Sequence, residues 1–236
     1  MTLRHPLRTL GFRLLPGLCL CCGLPSGRPL DLCPGCEAAL PALGPGCPRC
    51  AIPLPTPALC GECLRQPPAF ARVIACHSYG PPVKGLILAL KQRRDLAAGR
   101  VLGELLAARI AATLPADDRP DLLVPVPLHW RRRLGRGFNQ ALELALPVAA
   151  ALGIALAPGL ARRIRHLTQE DLGRDARRRQ LRGAFRVTRP LAGERIALVD
   201  DVVTTTGTAR ALADALRRAG AGRVEVWCLA RTPLEK

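Results

Sequence analysis

The stretch IALVDDVVTTTGT, residues 196–208, carries the clearest indication of fold in this chain. Four apolar residues lead into Asp200 and Asp201, and a threonine-rich turn then precedes the helical pattern TARALADALRRAG. An apolar run that passes through a turn into a helix is typical of a buried strand in an α/β sheet. Ligands of such sheets bind at the carboxyl ends of the strands, so the two aspartates lie where a site is expected.

The same alternation of strands and helices extends from about Pro67 to residue 236. The strand patterns are ARVIACHSYG, DLLVPVP, RIALVDD and RVEVWCLAR. Between them, four helical patterns are PVKGLILALKQRR, LAAGRVLGELLAARIAATL, NQALELALPVAAAL and TARALADALRRAG. Pro147 is expected to kink the third helix, and Gly220 to end the last. The sequence therefore predicts a twisted parallel sheet flanked by helices over residues 67–236.

Eight of the 11 cysteines form CxxC pairs near the N-terminus, separated by ten, ten and nine residues. The pairs are Cys19-Cys22, Cys33-Cys36, Cys47-Cys50 and Cys60-Cys63. Two residues between thiolates let both bind one tetrahedral zinc, so two pairs complete a site. A redox motif needs one pair, and a cytoplasmic location disfavours disulfides. The spacing predicts two structural zinc ions in a double zinc-ribbon module over residues 1–66, with sequential and interleaved pairing both open.

The net charge of +17 on 236 residues predicts a polyanionic partner, either a nucleic acid or a phosphorylated metabolite. Only three of the 35 basic residues are lysine, and arginine is a planar donor that suits phosphate oxygens. Arg13 and Pro16 interrupt the apolar N-terminal run, which lacks a signal-peptide cleavage site, and no segment is long enough for a membrane span. We therefore expect a cytoplasmic protein without membrane insertion.

The turn after the two aspartates has the composition of a phosphate site. Backbone N–H groups at the start of a helix bind phosphate, helped here by the hydroxyls of Thr204, Thr205, Thr206 and Thr208. Two carboxylates just before the turn suit ribose hydroxyls or Mg²⁺. The alternative is an acidic strand end followed by a threonine N-cap. No GxxxxGK[ST] occurs in the sequence, which argues against a P-loop nucleotidase.

These residues resemble a known family. VDDVVTTTGT resembles the phosphoribosyl-pyrophosphate (PRPP) signature of type I phosphoribosyltransferases. The stretch VPVPLHWRRRLGRGFNQA, residues 124–141, is similar to a signature of the ComF competence-protein family. The ending VEVWCLART and the zinc-binding N-terminus are similar to the same family, in particular to its DNA-utilisation members. The resemblance covers nearly the full length.

The resemblance implies a type I phosphoribosyltransferase-like sheet with Mg²⁺ bound together with PRPP. The residues implied for ribose phosphate are Asp200, Asp201, Thr204, Thr205, Thr206, Gly207 and Thr208. The residues implied for pyrophosphate or DNA phosphate are Lys91, Arg131, Arg132, Arg133, Arg136, Gly137, Arg177, Arg178 and Arg179. The last three lie in a hood loop over residues 162–185. Thr206 stands where the family loop has glycine, which implies either a shift of the loop by one residue or weaker phosphate binding.

For function, the resemblance implies a DNA-utilisation protein that handles incoming single-stranded DNA, with DNA-uptake or recombination proteins as partners. Residues 162–182 contain eight arginines against three acids, which favours binding to nucleic-acid phosphates, although a solvated basic face is the alternative. Trp130 and Phe138 either stack on bases or pack in the fold. An active phosphoribosyltransferase with an unknown acceptor is the alternative function.

Overall fold

The computed structural model describes residues 17–129, 135, 137–164, 181 and 183–233. Its main sheet has five parallel strands in the order β1-β7-β6-β2-β3. The strands are β1 Val73–Ser78, β2 Leu122–Pro125, β3 Ala155–Leu156, β6 Arg195–Val203 and β7 Arg223–Arg231. A separate antiparallel ribbon joins β4 Ala161–Arg163 to β5 Phe185–Val187. The predicted parallel sheet is confirmed, and the predicted hood loop begins and ends in the ribbon.

Six helices are described outside the sheet. They are α1 Pro34–Ala38, α2 Gly61–Arg65, α3 Val83–Arg93, α4 Leu96–Thr113, α5 Gln140–Leu152 and α6 Gly207–Arg218. Pro147 lies inside α5. The chain leaves α6 through Gly220, which has a φ of +104° and lies so close to Leu191 that an added Cβ would be 2.2 Å from its carbonyl oxygen. Only glycine fits both conditions, so α6 ends there as predicted.

The sheet is apolar on both faces, because each strand alternates its side chains between two hydrophobic clusters. In β6, Ala197 and Val199 pack on the face covered by α3, α4 and α5, whereas Ile196 and Leu198 pack on the face covered by α6. The helices after β2 and β6 therefore cover opposite faces, and the chain turns in opposite directions from these neighbouring strands. The boundary between β2 and β6 is a topological switch point, where α/β sheets bind ligands.

The cysteine-rich segment packs against the sheet on both faces. Cys19, Leu32 and Leu40 belong to the cluster under α3, α4 and α5, and Cys47, Ile52 and Cys63 belong to the cluster under α6. Between these two parts, the chain runs along the free edge of β1. Ser78 N–H donates to the carbonyl of Pro41 at 3.1 Å, and Val73 N–H to that of Arg49 at 2.9 Å. The segment thus covers an edge strand that would otherwise expose unpaired backbone groups.

The division of the chain into residues 1–66 and 67–236 stays a prediction, although the two parts share hydrophobic cores. Within the described residues, no helix combines the length and the apolar character that crossing a bilayer requires.

Candidate functional site

The paired cysteines form two groups of four thiols. The first group is Cys19, Cys22, Cys33 and Cys36, and the second is Cys47, Cys50, Cys60 and Cys63. In each group the sulfur atoms lie within 4.8 Å of one another. The Sγ–Sγ distances are 3.9 Å for Cys22–Cys33 and 3.6 Å for Cys50–Cys60. Zn–S bonds of about 2.3 Å give a tetrahedron with edges of about 3.8 Å. Both groups therefore fit a zinc ion, and the pairs combine in sequential order.

Backbone N–H groups prepare these thiols to act as metal ligands. The N–H of Cys36 points to the sulfur of Cys33 at 3.4 Å, and that of Cys63 to the sulfur of Cys60 at 3.5 Å. Burial raises the pKa of Cys47, but the N–H groups of Cys60, Cys50 and Arg49 outweigh it and bring the pKa down to about 7. Hydrogen bonds that favour the thiolate favour metal binding, because the thiolate is the ligand.

The carboxyl end of β6 places two aspartates beside a lysine. Asp201 is 4% exposed, and one of its carboxylate oxygens lies 2.6 Å from Nζ of Lys91, near the end of α3. Its other oxygen accepts the N–H of Val202 at 2.7 Å, and Asp200 Oδ1 accepts the N–H of Asp201 at 2.9 Å. The Lys91 ammonium balances the charge of the Asp201 carboxylate next to the switch point. Such a site suits a cation or sugar hydroxyls.

Asp200 holds its proton more tightly than an ordinary carboxyl group. Burial and the neighbouring Asp201 carboxylate raise the pKa of Asp200 to about 8, although part of the residue remains in contact with solvent. Below that pH the folded protein keeps a proton that the unfolded chain loses above a pH of about 4. The contribution of Asp200 to stability is therefore complete at low pH and declines as the pH rises towards 8.

Replacing Asp200 with asparagine is expected to remove this pH dependence, because the amide stays neutral. The free energy of unfolding of Asp200→Asn is expected to rise relative to the native protein by up to about 1.4 kcal/mol per pH unit between pH 5 and pH 7. Urea unfolding of the two zinc-loaded proteins at pH 5, 6 and 7 measures the difference. A difference that does not vary with pH would show that Asp200 has an ordinary pKa.

Thr206 has a left-handed backbone conformation, which glycine adopts more readily than threonine. It is the N-cap of α6, with φ of +60° and ψ of −3°, and Gly207 begins the helix. Thr206 itself therefore adopts a positive φ, which costs a β-branched residue about 1–3 kcal/mol. Thr204 and Thr205 are exposed, and Thr208 lies half-buried in the first turn of α6. We call residues 204–208 the phosphate loop.

Two arginines connect the phosphate loop to the second group of cysteines. Arg231, at the end of β7, is 3% exposed and donates to the carbonyls of Cys50, Val203 and Thr204. Arg210, in α6, donates from Nε to Oγ1 of Thr206 at 3.0 Å. The same guanidinium donates to the carbonyl of Gln66 at 2.7 Å and lies 3.9 Å from the sulfur of Cys63. Sequence reasoning missed both residues.

Other predicted site residues have different placements. Arg131, Arg132, Arg133, Arg136, Arg177, Arg178, Arg179 and Trp130 lie outside the described residues. Gly137 has φ of +78°, and the guanidinium of Arg94 lies over it and donates to the carbonyl of Gly135 at 3.3 Å. Arg94, exposed and close to Lys91 in sequence, is therefore a further cation beside the predicted pyrophosphate segment. Phe138 packs against the core under α5.

Together the geometry defines an α/β protein with two four-cysteine metal sites and an acidic pair before a phosphate loop. Residues 12–64 match the model of the double zinc ribbon domain. The chain is 40% identical over 226 residues to the DNA utilization protein YhgH of Salmonella typhi, covering 92% of this chain and 98% of that protein. It is 33% identical over 207 residues to Competence protein F of Haemophilus influenzae, covering 85% and 90% of the two chains.

The chain therefore belongs to the ComF family of competence and DNA utilization proteins, as its sequence motifs predict. Among solved structures, it is similar to a purine phosphoribosyltransferase from Pyrococcus horikoshii, with a TM-score of 0.36, 18% identity and coverage of 57% of this chain and 72% of that one. A hypoxanthine phosphoribosyltransferase from Staphylococcus aureus gives a TM-score of 0.38 at 9% identity, with coverage of 56% and 64%.

Proposed function

We propose that the carboxyl edge of the sheet binds a phosphorylated ribose, with PRPP as the expected ligand. The observation that carries the proposal is the ion pair between Lys91 and the buried Asp201, which lies directly before a loop that runs into the N-terminus of α6. Helix N-termini attract phosphate through their N–H groups and dipole, and carboxylates accept hydrogen bonds from ribose hydroxyls. The phosphate and the ribose of one ligand would thus contact complementary groups that lie a few residues apart in the sequence.

Each residue of the pocket has a distinct task in this proposal. The phosphate loop holds the phosphate through the hydroxyls of Thr204, Thr205 and Thr208 and the N–H groups at the start of α6. Asp200 and Asp201 face the ribose hydroxyls, and Lys91 holds the Asp201 carboxylate in place. Bound Mg²⁺ would neutralise the pyrophosphate of PRPP beside these carboxylates.

Calorimetric titration of the zinc-loaded protein with PRPP and Mg²⁺ tests the pocket. We expect one ligand per chain and weaker binding of ribose 5-phosphate, which has no pyrophosphate to bring Mg²⁺ to the carboxylates. Glucose 6-phosphate is the control for simple attraction of a phosphate to a basic protein. Equal affinity for all three ligands would contradict a built ribose-phosphate site.

We also propose that the same edge binds single-stranded DNA through its phosphates. The names of the relatives, DNA utilization protein and Competence protein F, support a DNA ligand, and so does the net charge of +17. Lys91, Arg93 and Arg94 end α3 at this edge, where Arg94 reaches Gly135. In the sequence, Arg131–Arg133 precede Gly135, and Arg177–Arg179 lie between β4 and β5, whose residues Ala161 and Phe185 pack in the core under α6.

Replacing Arg177, Arg178 and Arg179 with alanine is expected to weaken DNA binding and to flatten its salt dependence. Each phosphate contact to a single strand contributes about 0.7 to the slope of log K against log salt, so the slope should fall by up to about 2. Fluorescence anisotropy of labelled oligonucleotides at several salt concentrations measures it. The control variant replaces Arg109, Arg189 and Arg218, which are exposed and are not among the residues proposed to bind DNA. An unchanged slope in the first variant, or an equal fall in the control, would contradict the role of residues 177–179.

Phosphoribosyl transfer is the second function that this pocket supports, because the acidic pair lies where Mg²⁺ would assist departure of pyrophosphate. Incubation with PRPP, Mg²⁺ and each nucleobase, followed by a pyrophosphate assay, detects it. Release that requires one particular base would assign a transferase activity, and release with none would leave the pocket as a binding site.

A further inference from the structure

Arg231 is a buried cation without a described carboxylate partner. Its Nε donates to the carbonyl of Cys50 at 2.9 Å, and Nη1 donates to Val203 and Thr232, each at 2.9 Å, and to Thr204. Each of these four acceptors is a backbone carbonyl. A buried charge needs strong compensation. Here the acceptors belong to Cys50 of the second group of cysteines, to Thr204 at the start of the phosphate loop, and to Val203 and Thr232 at the ends of β6 and β7.

The contacts of Arg231 also orient the loop. A trans peptide unit points its C=O and the following N–H in opposite directions. Because Arg231 holds the carbonyls of Val203 and Thr204, the N–H groups of Thr204 and Thr205 are directed away from the guanidinium. Those two N–H groups belong to the segment that the proposed function assigns to phosphate. Arg231 is therefore placed to present them to a ligand.

Arg210 makes a second connection on the other side of the loop. It holds Oγ1 of Thr206, whose positive φ is otherwise unfavourable, and it reaches the carbonyl of Gln66 just after α2. It also lies 3.7 Å from Glu62 and 3.9 Å from the sulfur of Cys63, both within α2. The strained residue of the loop is thus fixed against the helix that carries the last ligand of the second metal site.

The first group of cysteines has no such connection among the described contacts. Its link to the helices runs through Arg100 of α4, which donates to the carbonyl of Pro29 at 2.7 Å. Its core residues pack under α3, α4 and α5, on the face of the sheet opposite α6. The two metal sites therefore stand in different relations to the phosphate loop.

From this asymmetry we propose that zinc at the second site and phosphate at the loop are coupled through Arg210 and Arg231, which act as positioning residues. The coupling rests on the proposed function, since it requires a phosphate ligand at the loop. Zinc fixes the Cys50 carbonyl and α2, these fix the two guanidinium groups, and the guanidinium groups fix the loop. Linkage makes the effect reciprocal, so a phosphate ligand must also stabilise zinc at the second site and leave the first site unaffected.

Alkylation of the cysteines in the zinc-loaded protein by N-ethylmaleimide, followed by peptide mass spectrometry, measures the two sites separately. Saturating ribose 5-phosphate is the probe, because it needs no Mg²⁺ for its single phosphate. We expect it to slow alkylation of Cys47, Cys50, Cys60 and Cys63 at least fivefold, the lower end of typical coupling between sites. Alkylation of Cys19, Cys22, Cys33 and Cys36 in the same sample should change less than twofold.

Variants at Arg210 separate coupling from general stabilisation. Arg210→Met is expected to reduce the protection to less than twofold, and Arg210→Lys, which keeps the charge but cannot reach the same acceptors, to act likewise. Arg100→Met is the matched control, which removes the corresponding tether of the first site and should leave the protection intact. Calorimetric titration with ribose 5-phosphate accompanies each experiment.

The outcomes distinguish the two proposals. Binding of ribose 5-phosphate that protects both groups of cysteines equally, or neither, would overturn the coupling and leave the pocket standing. Full protection retained in both Arg210→Met and Arg210→Lys would overturn the coupling in the same way. Absence of binding of both ribose 5-phosphate and PRPP in the native protein would overturn the proposed pocket, and the coupling with it.

Discussion

The Cys47→Ser protein is expected to bind one zinc ion per chain instead of two. Serine cannot replace a thiolate in a structural zinc site, and binding of such a zinc contributes on the order of 10 kcal/mol to the local fold. Cys47, Ile52 and Cys63 also form part of the core under α6, which would lose its packing with the metal. We expect the midpoint of thermal unfolding to fall by roughly 10 °C, as a loss of about 4 kcal/mol implies.

Atomic absorption of purified proteins and circular dichroism on heating measure these effects. Cys21→Ser is the matched control, because Cys21 is exposed and lies outside both groups of thiols despite its place between two ligands. It should retain two zinc ions and an unchanged midpoint. Two zinc ions in Cys47→Ser would contradict the assignment of Cys47 as a ligand of the second site.

The Asp201→Asn protein is expected to bind PRPP with Mg²⁺ about 100-fold more weakly than the native protein, a difference of about 2.7 kcal/mol. The substitution removes a carboxylate charge from the pocket and leaves the ammonium of Lys91 without its 2.6 Å partner. A charge-assisted hydrogen bond and a ligand for the cation are lost together. Calorimetric titration at fixed Mg²⁺ and salt measures the affinity.

Two further variants serve as controls for Asp201→Asn. Asp214→Asn changes the same kind of charge at an exposed position of α6 and should bind PRPP like the native protein. Lys91→Met leaves the aspartates more strongly negative, so we expect its PRPP affinity to depend more steeply on Mg²⁺. Native affinity in Asp201→Asn would mean that the acidic pair takes no part in binding.

Much of this architecture could be predicted because its signals are local. The apolar run 196–199 reads as a buried strand whichever helix covers it, and the CxxC spacing reflects the geometry of one knuckle. The pairing order of the knuckles could not be derived, because spacers of ten, ten and nine residues allow either arrangement. The order depends on which face of the sheet each ribbon packs against, which is a property of the whole fold.

The contacts around the pocket are equally non-local. Lys91 and Asp201 were both recognised by family resemblance, but their ion pair joins α3 to β6 across the switch point. Arg231 ends an apolar strand, where an arginine is expected to be exposed to solvent, but it is buried. In the sequence, little distinguishes Arg210 from the other arginines of α6. Its spacing of four residues from Thr206 was the one available signal, because side chains four apart on a helix meet.

The end of β6 differs from the one that the sequence predicts. The sequence ends β6 at Asp201, whereas the structure continues it to Val203, which pairs with Arg231. The aspartates therefore lie within the sheet, and each carboxylate accepts a hydrogen bond from the backbone N–H of the following residue. This rigidity is what a preorganised site requires.

The most direct test of a shared edge is fluorescence anisotropy of labelled single-stranded DNA on the zinc-loaded protein, titrated with PRPP and Mg²⁺ at constant ionic strength. We predict that PRPP displaces the DNA from the native protein and fails to do so in Asp201→Asn, although that variant still binds the DNA. DNA binding that PRPP leaves untouched, under conditions where calorimetry shows PRPP bound, would contradict a common site for the two ligands.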